Sequence, residues 1–209
     1  MRRQLSLTVD PVSGSTSDSE LVRRSRAEPE CFAELFDRYF AQLHRYAARR
    51  LGRAGGDDVA AETLLVAFSR RDVFDPDKGT VRAWLFGIAT HLIHGQQRDE
   101  IRGYRAYARA AAESSEPGHE DRATARVAAS TARNRIVAAL ADLSTGDRDA
   151  LLLVVWGEMS HEEAAAALDI PVGTIGSRMH RARRRLRAAL GGVDPTHDLY
   201  LATDERPQQ

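Results

Sequence analysis

The 209-residue sequence has little of several features on which secreted, membrane and metal-binding proteins depend. Its one cysteine, Cys31, excludes an intramolecular disulfide and a cysteine-rich metal site built from this chain alone. No apolar run approaches the roughly 20 residues that cross a bilayer, and the N-terminal segment lacks the apolar core of a signal peptide. We therefore expect a protein that stays in the cytoplasm and does not insert into a membrane.

Catalytic motifs are also missing. The segment SHEEAAAAL begins like the zinc-protease pattern H-E-x-x-H, but the residue four places after His161 is Ala165. The other histidines show no ligand spacing, and the sequence contains neither a G-x-S-x-G motif nor a P-loop. The sequence therefore favours a protein that is not an enzyme and that needs no metal or cofactor.

Lysine is nearly absent and the formal net charge is zero, yet the charge is unevenly distributed. Residues 172–190, VGTIGSRMHRARRRLRAAL, hold six arginines and no acidic residue, whereas residues 110–121 hold four acidic residues and no basic one. Arginines that lack acidic partners at helical spacing repel one another. We therefore expect the basic stretch to bind an anionic partner rather than to be only a solvated face.

Apolar periodicity predicts an all-α fold of two small helical domains joined by a flexible linker. A stripe over residues 32–51 predicts one long amphipathic helix, after which LGRAGG breaks the chain. A second helix is expected over DDVAAETLLVAF, and a third follows the FDPDKGT loop with Thr80 as its N-cap. The third helix is expected to continue through Arg98, Arg102 and Arg105. These three helices form the first domain, residues 28–109, which a flexible segment over residues 1–27 precedes.

The second domain is expected to contain four short helices. An acidic segment with proline and glycine, residues 110–131, is the predicted linker, the domain occupies residues 132–191, and a tail follows over residues 192–209. Gly157 is placed to cap one helix, and Ser160 with Glu163 forms a capping box at the start of the next. A tight turn then leads into the basic helix, which is typical of a DNA-binding helix-turn-helix.

The basic helix has one apolar face and one polar face. Ile175, Met179, Ala182 and Leu186 recur at helical spacing and are predicted to pack on the domain. The start of the helix is then free to enter a major groove, while its later arginines reach flanking phosphates. The residues outside the apolar face are Ser177, Arg178, His180, Arg181, Arg184 and Arg185.

These segments together resemble the extracytoplasmic-function (ECF) sigma factors of bacterial RNA polymerase. SHEEAAAALDIPVGTIGSRMHRARRRL resembles their C-terminal helix-turn-helix, and DDVAAETLLVAF followed by FDPDKGTVRAWLFGIA resembles their N-terminal domain. The resemblance covers about residues 30–190. It implies a promoter-melting domain and a helix-turn-helix domain that dock on the clamp coiled coil and flap of core RNA polymerase and direct it to promoter DNA. It also implies an anti-sigma factor as a partner.

The resemblance further implies a role for particular residues. Residues 74–80 correspond to a loop that pockets a flipped base of the minus-ten element. Minus-ten contacts are implied for Asp77, Lys78, Trp84, His91, His94, Arg98 and Arg102. Minus-thirty-five contacts are implied for Thr174, Gly176, Ser177, Arg178, His180, Arg181 and Arg184. Polymerase contacts are implied for Asp58, Glu62 and Thr63.

Several alternatives remain open at the level of sequence. Trp84 is a candidate for base stacking, but its helical spacing favours a place in the core. His91 stands where many relatives have asparagine, and Gly176 stands where many have lysine or arginine. The glycine permits a close backbone approach to DNA or only weakens the readout. The alternatives to a sigma factor are a helix-turn-helix regulator that acts without polymerase docking and a nonspecific nucleic-acid-binding protein.

Overall fold

The computed structural model describes residues 16–113, 132 and 134–191, and within these ranges the chain forms helices and no strand, as predicted. The α-helices are α1 Asp18–Arg24, α2 Ala33–Leu51, α3 Arg53–Ser69, α4 Val81–Gly95, α5 Gln97–Glu113, α6 at residues 134–141, α7 Thr145–Val155, α8 His161–Leu168 and α9 Val172–Ala189. The predictions for residues 1–15, most of the linker, and the tail lie outside the described residues.

The N-terminal domain is built on α2 and α3, which are joined by a single residue. Gly52 has a φ of 84°, in the left-handed region that glycine tolerates, so α2 ends at Leu51 as predicted. However, α3 already begins at Arg53 and includes the glycines that were expected to form a break. The reason is packing: a Cβ on Gly56 would lie 2.6 Å from the Cβ of Ala48, so the glycine lets the two helices approach closely.

The expectation that residues 1–27 form a flexible segment is wrong for residues 16–27. The hydroxyl of Ser17 caps α1 by accepting a hydrogen bond from the Glu20 backbone N–H at 3.3 Å. Leu21 and Val22 are completely buried against the domain. Asp18 accepts hydrogen bonds from the side chains of Arg38 and Tyr39 on α2. Two apolar residues are too few to produce a detectable period, so only tertiary contacts reveal this helix.

The third predicted helix is in fact two helices. Thr80 caps α4 by accepting a hydrogen bond from the Ala83 N–H at 3.1 Å, as predicted. The chain leaves the helical conformation at Gln96, so Arg98, Arg102 and Arg105 belong to a separate helix, α5. The break lets α5 return to the domain and bury Tyr104. Because α5 runs to Glu113, the first four residues of the predicted linker are helical.

The C-terminal domain consists of α6 to α9, as predicted. The capping box at the start of α8 is confirmed, since the Ser160 hydroxyl accepts from the Glu163 N–H and the Glu163 carboxylate accepts from the Ser160 N–H, each at 3.1 Å. The predicted cap at Gly157 is displaced by one residue, because Trp156 is the C-cap of α7. Gly157 is required there for space, since its Cβ would lie 2.4 Å from the Leu153 carbonyl oxygen.

The two domains, which the sequence presents as separate units, pack against each other through α4 and α8. The approach is close at Gly87, where a Cβ would lie 2.6 Å from the carbonyl oxygen of Ala167. Arg82 on α4 donates hydrogen bonds to the Gly157 carbonyl at 2.5 Å and to the Glu163 carboxylate at 3.2 Å. The short connection from the end of α7 to α8 is therefore held against the N-terminal domain.

A second part of the contact is an interdomain charge cluster, which consists of Arg50, Glu100, Arg148 and Asp149. All four side chains are buried. The Arg50 guanidinium donates to Glu100 on α5 at 2.6 Å and to Asp149 on α7 at 2.8 Å, and Arg148 Nε lies 3.5 Å from Glu100. Burial alone would raise the pKa of Asp149, but a hydrogen bond from His94 and the charge of Arg50 hold that pKa below its usual value. The cluster is electrically balanced, two positive charges against two negative ones.

Two glycine-to-alanine changes should have opposite effects on stability. Gly56→Ala forces α2 and α3 apart, so we expect the free energy of unfolding to fall by about 1–3 kcal/mol. Gly103→Ala, at an exposed position in α5 where an added Cβ meets nothing within 4 Å, should raise it by about 0.5–1 kcal/mol through helix propensity. Urea denaturation followed by circular dichroism measures both. Changes of the same sign would contradict the close packing at Gly56.

Candidate nucleic-acid interface

The basic helix α9 is held on the domain by its apolar face. Ile175, Met179, Ala182 and Leu186 are all buried, as predicted, and α9 packs on α7 and α8. The turn before it consists of Asp169, Ile170 and Pro171, the length predicted for a helix-turn-helix. Asp169 adopts a left-handed conformation, with a φ of 50°, that ends α8 and reverses the chain. The opposite face of α9 is therefore free to meet a partner.

The first turns of α9 present a surface with few bulky side chains. Gly176, Ser177 and His180 are exposed, and Thr174 is half-buried. The Ser177 hydroxyl donates to the Thr174 carbonyl at 2.9 Å, so its proton is used within the helix. A Cβ on Gly176 would meet nothing within 4 Å. Packing within the protein therefore does not require glycine at this position.

The basic residues of α9 differ in their surroundings. Arg184 and Arg185 are exposed, whereas Arg178 is half-buried and its guanidinium lies against Gly146. Such an array of guanidinium groups along one exposed helix face is suited to binding phosphate.

Arg181 is held by a carboxylate of the same domain. Its guanidinium donates to both oxygens of Asp147 on α7, with Nη2 2.7 Å from Oδ1 and Nε 3.2 Å from Oδ2. Partial burial opposes ionisation of Asp147, but the hydrogen bonds from Arg181 hold its pKa below the usual value. Sequence reasoning missed this pair, because an acid near a helix N-terminus is expected to act as a cap residue. In this structure Arg181 lies along α7 and its charge is largely balanced.

The loop at residues 74–80 is ordered by local contacts, and we call it the minus-ten loop after the role that the resemblance implies for it. The Asp75 carboxylate accepts a hydrogen bond from the Asp77 N–H at 3.0 Å and starts a 3-10 turn, Pro76–Lys78. Gly79 follows with a φ of 150°. The predicted contact residues Asp77 and Lys78 are both exposed on this turn. The loop therefore presents one acidic and one basic side chain in a fixed arrangement.

Trp84 combines features of the two roles that the sequence allows, base stacking and core packing. It is half-buried, and its ring is 5.1 Å from the ring of Phe74 on the minus-ten loop. The same indole lines a groove of about 580 Å³. The side chain is thus fixed by aromatic packing on one side and accessible from the groove on the other.

The remaining predicted minus-ten residues are spread over α4 and α5. His91 is exposed, whereas His94 Nε2 lies 2.6 Å from the Asp149 carboxylate of the other domain. Arg98 is exposed, and Arg102 pairs with Asp99 at 3.0 Å on the surface of α5. Arg98, Arg102, Arg105 and Arg109 line one side of a shallow groove beside α6. These arginines form a second basic surface, which the break at Gln96 separates from the minus-ten loop.

The predicted polymerase-binding residues do not all share a surface. Asp58 and Glu62 are exposed on α3, where they flank a shallow groove with Leu65, which is 59% exposed. Thr63 is completely buried, and its hydroxyl donates to the Val59 carbonyl at 2.6 Å. Thr63 follows Glu62 by one residue, a rotation of about 100° around the helix, and so lies on the core side of α3 and not on the surface that contains Asp58 and Glu62.

Among the described residues, no group of histidine, cysteine, aspartate and glutamate side chains is arranged to hold a metal ion. None of the described helices has the length and apolar character needed to span a membrane.

Comparison with known proteins gives consistent matches. The models for Sigma-70 region 2 and Sigma-70 region 4 match residues 35–103 and 133–186. The ECF RNA polymerase sigma factor SigL of Mycobacterium tuberculosis is 34% identical over 165 residues, which cover 78% of this chain and 91% of SigL. The RNA polymerase sigma factor CnrH of Cupriavidus metallidurans is 33% identical over 172 residues, which cover 76% of this chain and 86% of CnrH.

A solved structure agrees with these matches. The structure of CnrH in complex with the cytosolic domain of CnrY aligns with a TM-score of 0.56 at 28% identity, covering 84% of this chain and 98% of the CnrH chain.

Releasing Arg181 should strengthen DNA binding. Asp147→Ala removes the carboxylate that balances this guanidinium, so we expect tighter binding to duplex DNA and a salt slope steeper by about one unit. Fluorescence anisotropy at several salt concentrations measures both. Glu30→Ala, which removes one exposed acidic charge from the N-terminal domain, is the control. An equal effect of the two changes would show that only net charge matters.

Changing Gly176 should decide between the two explanations for this residue. Because the position has open space, Gly176→Arg should fold normally, tighten duplex binding and steepen the salt slope by about one unit. Gly176→Ala separates the gain in helix propensity from the added charge. Binding to promoter and scrambled duplexes is compared. Loss of the preference for promoter DNA in both variants would instead show that the backbone at Gly176 must approach the DNA closely.

Proposed function

The chain belongs to the ECF sigma factors of bacterial RNA polymerase and directs promoter-specific initiation of transcription, and we propose which of its surfaces perform each part of that task. The observation that carries the proposal is the exposed, acid-free face of α9 at the end of a helix-turn-helix. The polymerase performs the chemistry, so this protein contributes recognition and strand opening and catalyses no reaction itself.

The start of α9 is proposed to bind the minus-thirty-five element in the major groove. Thr174, Gly176, Ser177 and His180 lie in the first three turns and offer small or polar groups to base edges. Arg178 and Arg184 contact the flanking phosphates, which supply affinity and position the helix. Arg181 also contacts a phosphate when its guanidinium leaves the Asp147 carboxylate. The pair with the carboxylate and the pair with the phosphate are both charge-assisted, so the exchange changes the free energy little.

The minus-ten loop and Trp84 are proposed to bind the melted minus-ten strand. A base flipped out of the duplex requires a pocket that replaces its lost stacking, which costs a few kcal/mol. The indole of Trp84 and the side chain of Lys78 line one groove and offer stacking and phosphate contact, and Asp77, exposed on the same loop, offers hydrogen bonding. His91 on α4 is proposed to extend this surface, and Arg98 and Arg102 on α5 are proposed to contact the DNA backbone from the second basic surface.

The α3 surface formed by Asp58, Glu62 and Leu65 is proposed to dock on the clamp coiled coil of the polymerase. The exposed leucine beside two carboxylates offers an apolar contact with a charged rim, which is the general composition of protein interfaces. The C-terminal domain is proposed to bind the flap.

We also infer an anti-sigma partner, because the similar structure is of CnrH in complex with the cytosolic domain of CnrY. We propose the cytoplasm as the place where this protein meets the polymerase and such a partner.

Run-off transcription tests the proposed function. Core polymerase with this protein should produce transcripts from a subset of genomic promoters that core polymerase alone does not use. Glu62→Arg should weaken core binding at least about tenfold, since it reverses one of the two charges on the proposed docking surface and so disturbs its electrostatic complementarity with the partner. Binding is measured by fluorescence anisotropy of labelled protein.

The matched control for this experiment is Glu30→Arg, the same charge reversal at an exposed position outside the α3 surface. It should leave core binding unchanged. Identical transcript patterns with and without the protein would contradict the proposed function, and DNA binding without core binding would favour a helix-turn-helix regulator. Equal loss in both charge variants would place the docking surface elsewhere.

A further inference from the structure

Two arginines in the second half of α9 have no acidic partner in the part of the chain that the structure describes. Arg184 and Arg185 are exposed, and no carboxylate of a described residue pairs with either guanidinium. Arg181, one turn earlier, is held by Asp147 of the same domain. A carboxylate of the protein itself can therefore occupy a guanidinium on the face of α9 that is proposed to bind DNA.

The chain leaves α9 close to these two arginines. Gly191 has a φ of 69°, in the left-handed region, and its N–H donates to the Ala188 carbonyl at 3.3 Å. A glycine in this conformation ends a helix and turns the chain away from the helix axis. The tail, residues 192–209, is attached at this turn.

The tail has the opposite charge to α9. The helix holds six arginines and no acidic residue, whereas the tail holds four acidic residues, one arginine and no lysine. A covalent tether keeps the two segments at an effective concentration of about a millimolar, so weak ion pairs between them are populated. The acidic residues of the tail are Asp194, Asp198, Asp204 and Glu205.

The tail is also long enough to reach the unpaired arginines. Arg184 precedes Gly191 by seven residues, so it lies about 10 Å back along the axis of α9. An extended chain advances about 3.3 Å per residue, which places Asp194 within about 10 Å of Gly191 and Asp198 within about 23 Å. Both aspartates can therefore meet Arg184 and Arg185 without any change in the described helices.

A carboxylate on these arginines competes with DNA. Carboxylate and phosphate oxygens accept the same guanidinium N–H groups, so one arginine cannot serve both at once. Duplex DNA has the denser charge, about one per 1.7 Å of helix axis, and displaces the tail when several phosphates bind together. Because this competition involves phosphate contacts only, it lowers the affinity for every duplex by the same factor.

We propose that the tail binds the basic face of α9 as an intramolecular competitor of DNA, with its aspartates on the guanidinium groups of Arg184 and Arg185. Its consequence for promoter binding rests on the proposed function, whereas the contact itself does not. The free protein therefore binds duplex DNA more weakly than its basic helix alone would allow.

The test compares full-length variants that lose the same number of negative charges. The tail variant carries Asp194→Asn, Asp198→Asn, Asp204→Asn and Glu205→Gln. The matched control carries Glu113→Gln, Glu116→Gln, Glu120→Gln and Asp121→Asn, around the start of the predicted linker. A further variant ends at Gly191 and so keeps every described helix. Circular dichroism verifies that each protein is folded.

Fluorescence anisotropy gives the affinity for promoter and scrambled duplexes at several salt concentrations. We expect the tail variant and the shortened protein to bind both duplexes at least about fivefold more tightly at 0.1 M salt, because a blocked site binds in proportion to its open fraction. Their salt slope should be steeper by about one to two units, since Arg184 and Arg185 then release counterions on binding. The linker control should differ from the unmodified protein by less than about twofold.

Nuclear magnetic resonance detects the contact in the absence of DNA. The backbone amide signals of Arg184 and Arg185 should shift in the tail variant and keep their positions in the linker control. A synthetic peptide of residues 192–209, added to the shortened protein, should reverse the shifts and weaken duplex binding.

The outcomes separate the two proposals. Unchanged α9 signals, equal duplex affinities in the tail variant and the unmodified protein, or an equal rise in the tail variant and the linker control would each overturn the competition by the tail. Failure of run-off transcription to find a promoter would overturn the proposed function alone, because the α9 signals and the scrambled duplex report on the tail without any promoter.

Discussion

The pairing of Arg50 with Glu100 and Asp149 is the constraint on which the arrangement of the whole protein depends. A buried guanidinium requires carboxylate partners, and here one partner is in each domain. The need to pair the Arg50 guanidinium therefore holds α5 against α2, and it holds α7 against both of these helices. The position of α7 in turn fixes α8 and α9, which pack on it, and so determines which basic residues face outward.

This arrangement explains why the proposed DNA-binding residues have such different surroundings. The exposed start of α9 is a surface that the domain packing leaves untouched. Arg181 pairs with Asp147, and His94 pairs with Asp149. Both aspartates lie on α7, two residues apart within one helix turn. One short acidic segment, DRD, thus restrains a residue of each proposed DNA-binding surface. Nucleic-acid binding at either residue is an exchange of one anion for another.

The helices and their ends could be predicted where local chemistry decides them. Gly52 ends α2, Thr80 caps α4, and Ser160 with Glu163 caps α8, because each of these residues acts on backbone groups within three or four positions of itself. The sequence did not predict features that depend on contacts between residues far apart in the chain. The helix α1 exists because Leu21 and Val22 find a core to pack on, and Thr63 is buried because of the way α3 lies against its neighbours.

The sequence by itself determined the all-α class, the helix-turn-helix with its acid-free basic helix, and the family, since helical periodicity, capping and motif spacing are local properties of the chain. Only the tertiary structure decided that the two domains pack together through α4 and α8, and that Arg50 and Asp149 meet across 99 positions of sequence. The physical reason is that a buried charge acts through space: DRD looks like an ordinary helix start until folding brings Arg50 within hydrogen-bond distance of it.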